Sequence, residues 1–209
     1  MSTVVVDYGR GNLFSLSQAL RVLGASHEIS SDPTRIAAAE RVVLPGVGAF
    51  GDGMAALTDA GLVAPLREIA RRGTPMLGIC LGMQLLAGRG LEFGDHLGLG
   101  IIPGIVERLP DLPGDDAMRI PNVGWREISP MSGGTDLFAT LPPKPMMYFV
   151  HSYAMAPTDP ACIAATIPFN GRDVCVSVRV GNVVGYQFHP EKSGAQGLEL
   201  IRNFLSMTA

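Results

Sequence analysis

The chain has 209 residues, of which 47% are hydrophobic and 17% charged, and its formal net charge is −3. No block of lysine and arginine is long enough to follow a phosphate backbone, which argues against nucleic acid as a partner. No apolar run is long enough to span a membrane, because glycine and proline interrupt each of them. The first residues do not have the basic start that a signal peptide requires. The three cysteines are widely spaced and do not indicate a disulfide framework. We therefore expect a cytoplasmic α/β protein with a single domain over residues 1–209.

The first elements predict a strand, a turn and a helix. Residues 3–7 form a valine-rich strand, the turn Asp7-Tyr-Gly-Arg-Gly-Asn12 follows, and leucines at helical spacing come next. The glycines of this turn suggest a dinucleotide-binding loop. Phe14 stands where the third glycine of that fingerprint is required, so the motif fails and a tight turn feeding a helix is the better interpretation.

A second glycine-rich turn is better placed to hold a ligand. Asp32 and Pro33 predict the N-cap and first position of a short helix, and residues 41–44 predict the next strand. Pro45-Gly46-Val47-Gly48 follows at its carboxyl end, where ligands collect in open α/β sheets. Glycines around Val47 allow the intervening peptide to point either way. A plain turn remains the alternative. Helices are expected over residues 53–60 and 62–72.

Gly78-Ile79-Cys80-Leu81-Gly82 is the thiol version of a nucleophile elbow. A strand that turns at once into a helix holds the middle residue in a strained backbone, and flanking glycines leave room for the close crossing. Cys80 then lies at a helix N-terminus, which favours a thiolate, and the amide of Leu81 can bind an oxyanion. Gln84 falls one helical turn later on the same face. A buried structural cysteine is the alternative, as we expect for Cys162 and Cys175.

The second half of the chain changes character. Proline and glycine crowd residues 103–145, and Trp125 lies in this loop-like region. Residues 146–153, 161–167 and 174–188 predict strands, with a two-residue hairpin turn at Gly181-Asn182. A last helix is expected over about residues 194–207. Parallel strands with helical crossovers in the first half and hairpins in the second predict one mixed sheet.

His189 and Glu191 are the partners that Cys80 requires. In an extended segment, residues two apart face the same way, so imidazole and carboxylate can lie on one side. These three residues then have the roles of a catalytic triad, with Cys80 as the nucleophile, His189 as the base and Glu191 as the group that orients the base. His151 is a rival base on chemistry alone, and a surface histidine beside a solvated glutamate is the alternative for the pair. No spacing of acidic residues suggests a metal site.

Two segments resemble the motifs of class I, triad-type glutamine amidotransferases. They are Leu77-Gly-Ile-Cys80-Leu-Gly-Met-Gln84 and Gln187-Phe-His189-Pro-Glu191. Further stretches resemble the amidotransferase subunits of imidazole glycerol phosphate synthase. These are Asp7-Tyr-Gly-Arg-Gly-Asn12, Leu44-Pro-Gly-Val-Gly-Ala-Phe-Gly-Asp52, Pro121-Asn-Val-Gly-Trp125, Tyr148-Phe-Val-His-Ser-Tyr153 and Phe188-His-Pro-Glu-Lys-Ser193. The resemblance implies a flavodoxin-like fold, with a largely parallel central sheet flanked by helices and an antiparallel extension in the C-terminal half.

The resemblance also implies roles for further residues. The oxyanion hole would be formed by Val47, Gly48 and Leu81. Glutamine would be bound by Gly46, Gln84, Glu92, His151, Ser152 and Tyr153, the last three largely through backbone. The partner interface and ammonia passage would use Asn12, Val123, Trp125, Tyr148 and Lys192. Asn122 and Val123 depart from the family's usual His-Met pair, and Gly88-Arg-Gly90 departs from its acidic pattern before Glu92.

The implied reaction is hydrolysis of L-glutamine to glutamate and ammonia, without a metal or organic cofactor. The implied partner is a cyclase subunit, a (β/α)₈ barrel that forms a heterodimer with this chain. It uses the ammonia to make imidazole glycerol phosphate and an aminoimidazole carboxamide ribotide in histidine biosynthesis. The glycines around Val47 add an expectation: the loop rests with an amide turned away, so activity stays low until the partner binds its ribonucleotide.

Two other functions stay open at this point. An amidotransferase of pyridoxal phosphate, anthranilate or guanylate synthesis is the nearer one, although the Pro-Gly-Val-Gly loop and the Met83-Gln84 pair argue against it. A non-enzymatic flavodoxin-like module is the more distant one, and it would not need Cys80, His189 and Glu191 together.

Overall fold

The computed structural model describes residues 2–114 and 117–208. Its α-helices are α1 (Leu13–Val22), α2 (Pro33–Ala37), α3 (Phe50–Asp59), α4 (Val63–Arg71), α5 (Leu81–Leu85) and α6 (Gly194–Leu205). Its strands are β1 (Thr3–Val6), β2 (His27–Ser30), β3 (Arg41–Gly46), β4 (Met76–Cys80), β5 (Ala87–Gly90), β6 (His96–Leu97), β7 (Ile102–Arg108), β8 (Asn122–Glu127), β9 (Ser129–Pro130), β10 (Met146–His151), β11 (Tyr153–Pro157), β12 (Ile163–Phe169), β13 (Arg172–Val180) and β14 (Val183–Tyr186). Short 3₁₀ turns lie at Ser132–Gly134, Pro160–Cys162 and Pro190–Lys192. None of the helices in the described ranges is long and apolar enough to cross a membrane.

The central sheet has eight strands in the order β2-β1-β3-β4-β14-β13-β12-β9. The strands from β2 to β14 pair in parallel, and those from β14 to β9 pair antiparallel. Two smaller sheets complete the architecture, one of β10 and β8 and one in the order β11-β7-β5-β6. This arrangement confirms the predicted α/β flavodoxin-like fold with an antiparallel extension in its C-terminal half.

Helices cover both faces of the central sheet, because alternate residues of each strand point to opposite sides. On one face Val5 and Val43 pack with α1 and α6, and on the other Val4 and Val42 pack with α2, α3 and α4. Both faces are apolar, which explains why these strands read as continuous apolar runs. The carboxyl ends of β1, β3 and β4 meet at one edge of the sheet, where folds of this kind bind ligands.

Two local signals are confirmed at the residues that carry them. The Asp32 carboxylate accepts a hydrogen bond from the Thr34 amide at 2.8 Å, and Pro33 takes the first position of α2. The turn at Gly181-Asn182 joins β13 to β14, which pair with Val180 opposite Val183.

The region around Trp125 differs from its prediction. The sequence predicts a loop there, but Trp125 lies in β8, which pairs antiparallel with β10 so that Trp125 stands opposite Tyr148. The Trp125 side chain is 50% exposed and does not serve as a core residue. The strand forms through pairing with a distant segment, which the local proline and glycine content does not reveal.

Only one of the two remaining cysteines is buried, although the sequence predicts that both are. Cys175 lies in β13, and burial raises the pKa of its thiol to about 12. Cys162 lies in the 3₁₀ turn Pro160–Cys162 and is only half-buried, so the prediction for Cys162 is wrong.

Candidate active site

Cys80 occupies a strained elbow between β4 and α5. Its φ is +55° and its ψ is −112°, a conformation that non-glycine residues rarely adopt. Gly82 makes the sharp turn possible, because a Cβ at that position would lie 1.8 Å from the carbonyl oxygen of Leu44. A Cβ on Gly78 would lie 2.8 Å from the backbone of Gly82 and Met83. The elbow geometry predicted from the glycine spacing is therefore present.

His189 and Glu191 form the hydrogen-bonded pair expected of a base and its orienting group. The Nδ1 atom of His189 lies 2.8 Å from Oε1 of Glu191, and both side chains are 3% exposed. Glu191 sits in the 3₁₀ turn Pro190–Lys192 rather than in an extended segment. The turn, and not strand alternation, brings the carboxylate back to the imidazole ring, so the predicted contact forms by a different backbone route.

The electrostatics of His189 favour its protonated form. Burial, the largest effect, lowers the pKa of the ring, but hydrogen bonding and charge interactions with Cys80 and Glu191 together raise it to about 9. The Nε2 atom is buried without a hydrogen bond of ordinary geometry within the described structure. The raised pKa favours the imidazolium form of His189, and a positive charge beside Cys80 suits a thiolate nucleophile.

His151, the rival base, has both ring nitrogens occupied. Its Nδ1 lies 2.9 Å from the carbonyl oxygen of Tyr153, which can only accept, so Nδ1 carries the proton. Its Nε2 lies 2.9 Å from Nδ2 of Asn122, which donates to it. Burial lowers the pKa of His151 to about 4. A neutral ring with no free nitrogen is not a general base, and Asn122 is a partner that sequence reasoning missed.

This neutral histidine links stability to pH. The pKa of His151 is about 4 in the folded protein and 6.5 in its unperturbed form, so between these values only the unfolded chain takes up the proton. Stability that is present above pH 6.5 is therefore lost as the pH falls toward 4, by about 2 kcal/mol at pH 5. We expect the free energy of unfolding in urea to fall less between pH 7 and pH 5 in His151→Gln than in the wild type. An equal fall of the unfolding free energy in both proteins would contradict the assignment of His151 as neutral.

A cavity of about 300 Å³ opens beside the elbow. It is lined by Val47, Gly48, Cys80, Leu81, Gln84, Glu92, Val150, His151, Ser152, Tyr153 and His189. The structure thus brings together nearly all residues predicted for nucleophile, base, oxyanion hole and glutamine. Glu191 lies behind His189, and Gly46 lies with Asn12 and Glu191 around a smaller cavity. Val150 was not predicted, and its apolar place in β10 gives no signal of such a role.

Two polar residues of the cavity wall also hold the wall together. Nε2 of Gln84 donates to the carbonyl oxygen of Tyr153 at 2.9 Å and to Oε1 of Gln187 at 3.0 Å. Only Oε1 of Gln84 is then left for a bound molecule. Oε2 of Glu92 accepts a hydrogen bond from the Phe50 amide at 2.8 Å, at the start of α3. The sequence indicates neither the hydrogen bonds that Gln84 donates nor the one that Glu92 accepts.

The loop predicted to complete the oxyanion hole is packed tightly against its neighbours. β3 continues through Gly46, two residues beyond its predicted end. A Cβ on Gly46 would lie 2.4 Å from the Tyr8 hydroxyl and 2.8 Å from the Gly82 amide nitrogen. The Val47 amide donates to the carbonyl oxygen of Arg10 at 2.8 Å, so its hydrogen is already used.

The residues predicted for the partner interface lie on several elements, and some of them contact the triad. Asn12 is the N-cap of α1, where its side chain accepts from the Ser15 amide at 3.3 Å. Val123 and Trp125 are about half exposed on β8, and the rings of Trp125 and Tyr148 lie 6.0 Å apart. The Tyr148 carbonyl accepts from the His189 amide at 3.0 Å. Lys192 is exposed directly after Glu191.

Comparisons with known proteins show the family of this chain. A family model described as glutamine amidotransferase class-I matches residues 4–207. The imidazole glycerol phosphate synthase subunit HisH of Thermosynechococcus vestitus is 46% identical over 97% of this chain and 95% of that protein. The HisH subunit of Moorella thermoacetica is 46% identical over 96% of this chain and 92% of that protein.

Solved structures share the fold at lower sequence identity. The PurLQS structure from Thermotoga maritima matches with a TM-score of 0.75 at 18% identity, over 98% of this chain and 97% of that one. A solved glutamine amidotransferase matches with a TM-score of 0.73 at 20% identity, over 97% of this chain and 96% of that one. The chain belongs to the class I glutamine amidotransferases and, among them, to the family of HisH subunits of imidazole glycerol phosphate synthase.

Proposed function

We propose that this chain is the glutaminase subunit of an imidazole glycerol phosphate synthase. It hydrolyses glutamine to glutamate and ammonia and passes the ammonia to a cyclase subunit. The observation that carries the proposal is that Cys80 and His189 line one cavity and that Glu191 is hydrogen-bonded to His189 behind it. The chain is also 46% identical to HisH subunits over nearly its whole length.

The first half of the reaction is acyl transfer to the thiol. The Cys80 thiolate attacks the carboxamide carbon of glutamine, and the negative charge moves to the carbonyl oxygen. Backbone amides of Leu81 and of the Val47–Gly48 loop stabilise that oxyanion. His189, protonated and oriented by Glu191, gives its proton to the nitrogen, so the C–N bond breaks and ammonia leaves.

The second half returns the enzyme to its resting form. Water loses a proton to His189 and adds to the γ-glutamyl thioester carbon. The tetrahedral intermediate then collapses, the C–S bond breaks with its electron pair returning to sulfur, and glutamate leaves. No step requires a metal or an organic cofactor, since the chain supplies nucleophile, base and oxyanion donors itself.

The hydrogen bond between the Val47 amide and the Arg10 carbonyl supports a resting state of low activity. An oxyanion hole needs its donors directed at the developing charge, and this amide hydrogen is engaged elsewhere. Gly46 and Gly48 flank the peptide bonds that would have to turn, and Gly48 already has a φ of +104°. Turning the loop toward Cys80 is then the step that the liganded partner promotes.

The proposed partner is a cyclase subunit with a (β/α)₈ barrel, joined to this chain as a heterodimer in the cytoplasm. Ammonia would be protonated in water, so its exit must lie under that interface. Val123, Trp125 and Tyr148 offer an exposed, partly aromatic face beside the triad for this purpose.

Glutamate release from glutamine tests the function. We expect little release from the chain alone, and a rise of about 100-fold or more when a cyclase subunit of the same origin and its ribonucleotide are both present, since one oxyanion donor has that effect. Cyclase without nucleotide is the matched control. Full activity in the isolated chain would contradict the resting-loop proposal alone. Failure of the cyclase to stimulate would assign the triad to another synthase, and no glutamate in any mixture would contradict the reaction.

A further inference from the structure

Gln187 is a buried amide in contact with the nucleophile, and the reaction described above gives it no role. Its side chain is 0% exposed. Its Nε2 lies 3.9 Å from Sγ of Cys80, and its Oε1 accepts the hydrogen bond from Gln84. An amide fully removed from water needs partners for both ends, and here one of those partners is the reacting sulfur.

The orientation of this amide follows from a chain of hydrogen bonds. The carbonyl oxygen of Tyr153 can only accept, so the amide nitrogen of Gln84 must face it, as observed at 2.9 Å. The same nitrogen donates to Gln187, which must therefore present its oxygen to Gln84. The NH₂ group of Gln187 is left to point at Cys80, because no other arrangement satisfies all three groups.

We propose that Gln187 stabilises the Cys80 thiolate by donating an N–H···S hydrogen bond, and that Gln84 and the Tyr153 carbonyl hold Gln187 in that orientation. The sulfur then has a neutral N–H donor in addition to the neighbouring His189 ring, whose pKa is raised in part by Cys80. The proposal rests on the proposed function only for the identity of Cys80 as the nucleophile.

The same contact serves both halves of the reaction. Before attack, a donor to sulfur increases the fraction of Cys80 present as thiolate, because hydrogen bonds to an ionised acceptor are stronger than those to a neutral one. During hydrolysis of the thioester, the C–S bond breaks and its electron pair returns to sulfur. The Gln187 amide then faces the developing negative charge of the leaving thiolate.

Alkylation of Cys80 by iodoacetamide measures thiolate directly and does not depend on glutamine or a cyclase. We would record its rate against pH in the full chain carrying Cys162→Ser, which removes the half-buried thiol outside the cavity. Gln187→Met keeps the side-chain volume and removes the donor, and we expect the pH midpoint of alkylation to rise by about one unit. Gln187→Glu keeps an acceptor for Gln84 but places oxygen against sulfur, so its midpoint should rise further.

Two more variants keep the test decisive. Gln84→Met removes the donor that orients the Gln187 amide, so we expect a smaller rise in the same direction, and this variant decides the matter if Gln187 variants do not fold. Gln18→Met, at an exposed glutamine of α1, should leave the midpoint unchanged. Unshifted midpoints in folded Gln187→Met, or in Gln84→Met if the former is unfolded, would overturn the proposal. Glutamate release measured in parallel separates this result from failure of the proposed function.

Discussion

Replacing Cys80 with serine is expected to lower glutamate release by about 10⁴-fold or more, even with the cyclase and its ribonucleotide present. A serine hydroxyl keeps its proton at the pH where a thiol can give it up to His189. The imidazolium then has no thiolate beside it, and the strained elbow presents a poor nucleophile. Because the cavity wall is unchanged, the variant should still bind glutamine, so the loss should appear in kcat rather than in KM.

The other two cysteines provide matched controls. Cys162→Ser and Cys175→Ser each change a thiol outside the cavity, and we expect glutamate release to stay within about twofold of the wild type. A chloroketone analogue of glutamine, followed by mass spectrometry of the digest, should label Cys80 in the wild type and in both controls. Label on Cys162 in place of Cys80, or activity that survives Cys80→Ser, would contradict the mechanism.

The elbow was predictable from the sequence because its requirements are local. A strand that ends where a helix begins allows one sharp crossing, and Gly78 and Gly82 mark that crossing by spacing alone. The positive φ of Cys80 follows from the same constraint. The valine-rich strands were equally clear, since a strand buried on both faces must be apolar throughout.

The hydrogen bonds that hold the site residues in place were not predictable, because they join residues that are distant in sequence. Nothing near Asn122 in the chain indicates that its amide closes off His151, and nothing near Arg10 indicates that its carbonyl holds the Val47 amide. Tertiary pairing also overrode the local proline and glycine signal around Trp125, which lies in a strand. The available signal for Gln187 was its place in the motif Gln187-Phe-His189-Pro-Glu191, two residues before the base.

Gly82→Ala is expected to destabilise the protein by about 3 kcal/mol or more, which corresponds to a fall in Tm of about 10 °C. The added Cβ would lie 1.8 Å from the carbonyl oxygen of Leu44, in the middle of the parallel sheet. A backbone atom cannot rotate away as a side chain can, so β3 must move as a unit. β3 also carries Gly46 and leads into Val47, so the loop beside Cys80 should move with it and glutamate release should fall in protein that remains folded.

Gly88→Ala is the matched control for this prediction. The nearest atom to a Cβ at Gly88 is the carbonyl oxygen of Gly104 at 3.5 Å, an ordinary contact, and Gly88 has no positive φ. We expect its Tm to stay within about 2 °C of the wild type. Thermal unfolding followed by circular dichroism, with glutamate release assayed below the transition, compares the two variants. A Gly82→Ala protein as stable and as active as Gly88→Ala would show that the elbow tolerates a side chain at the crossing. That result would contradict the conclusion that glycine is required at position 82.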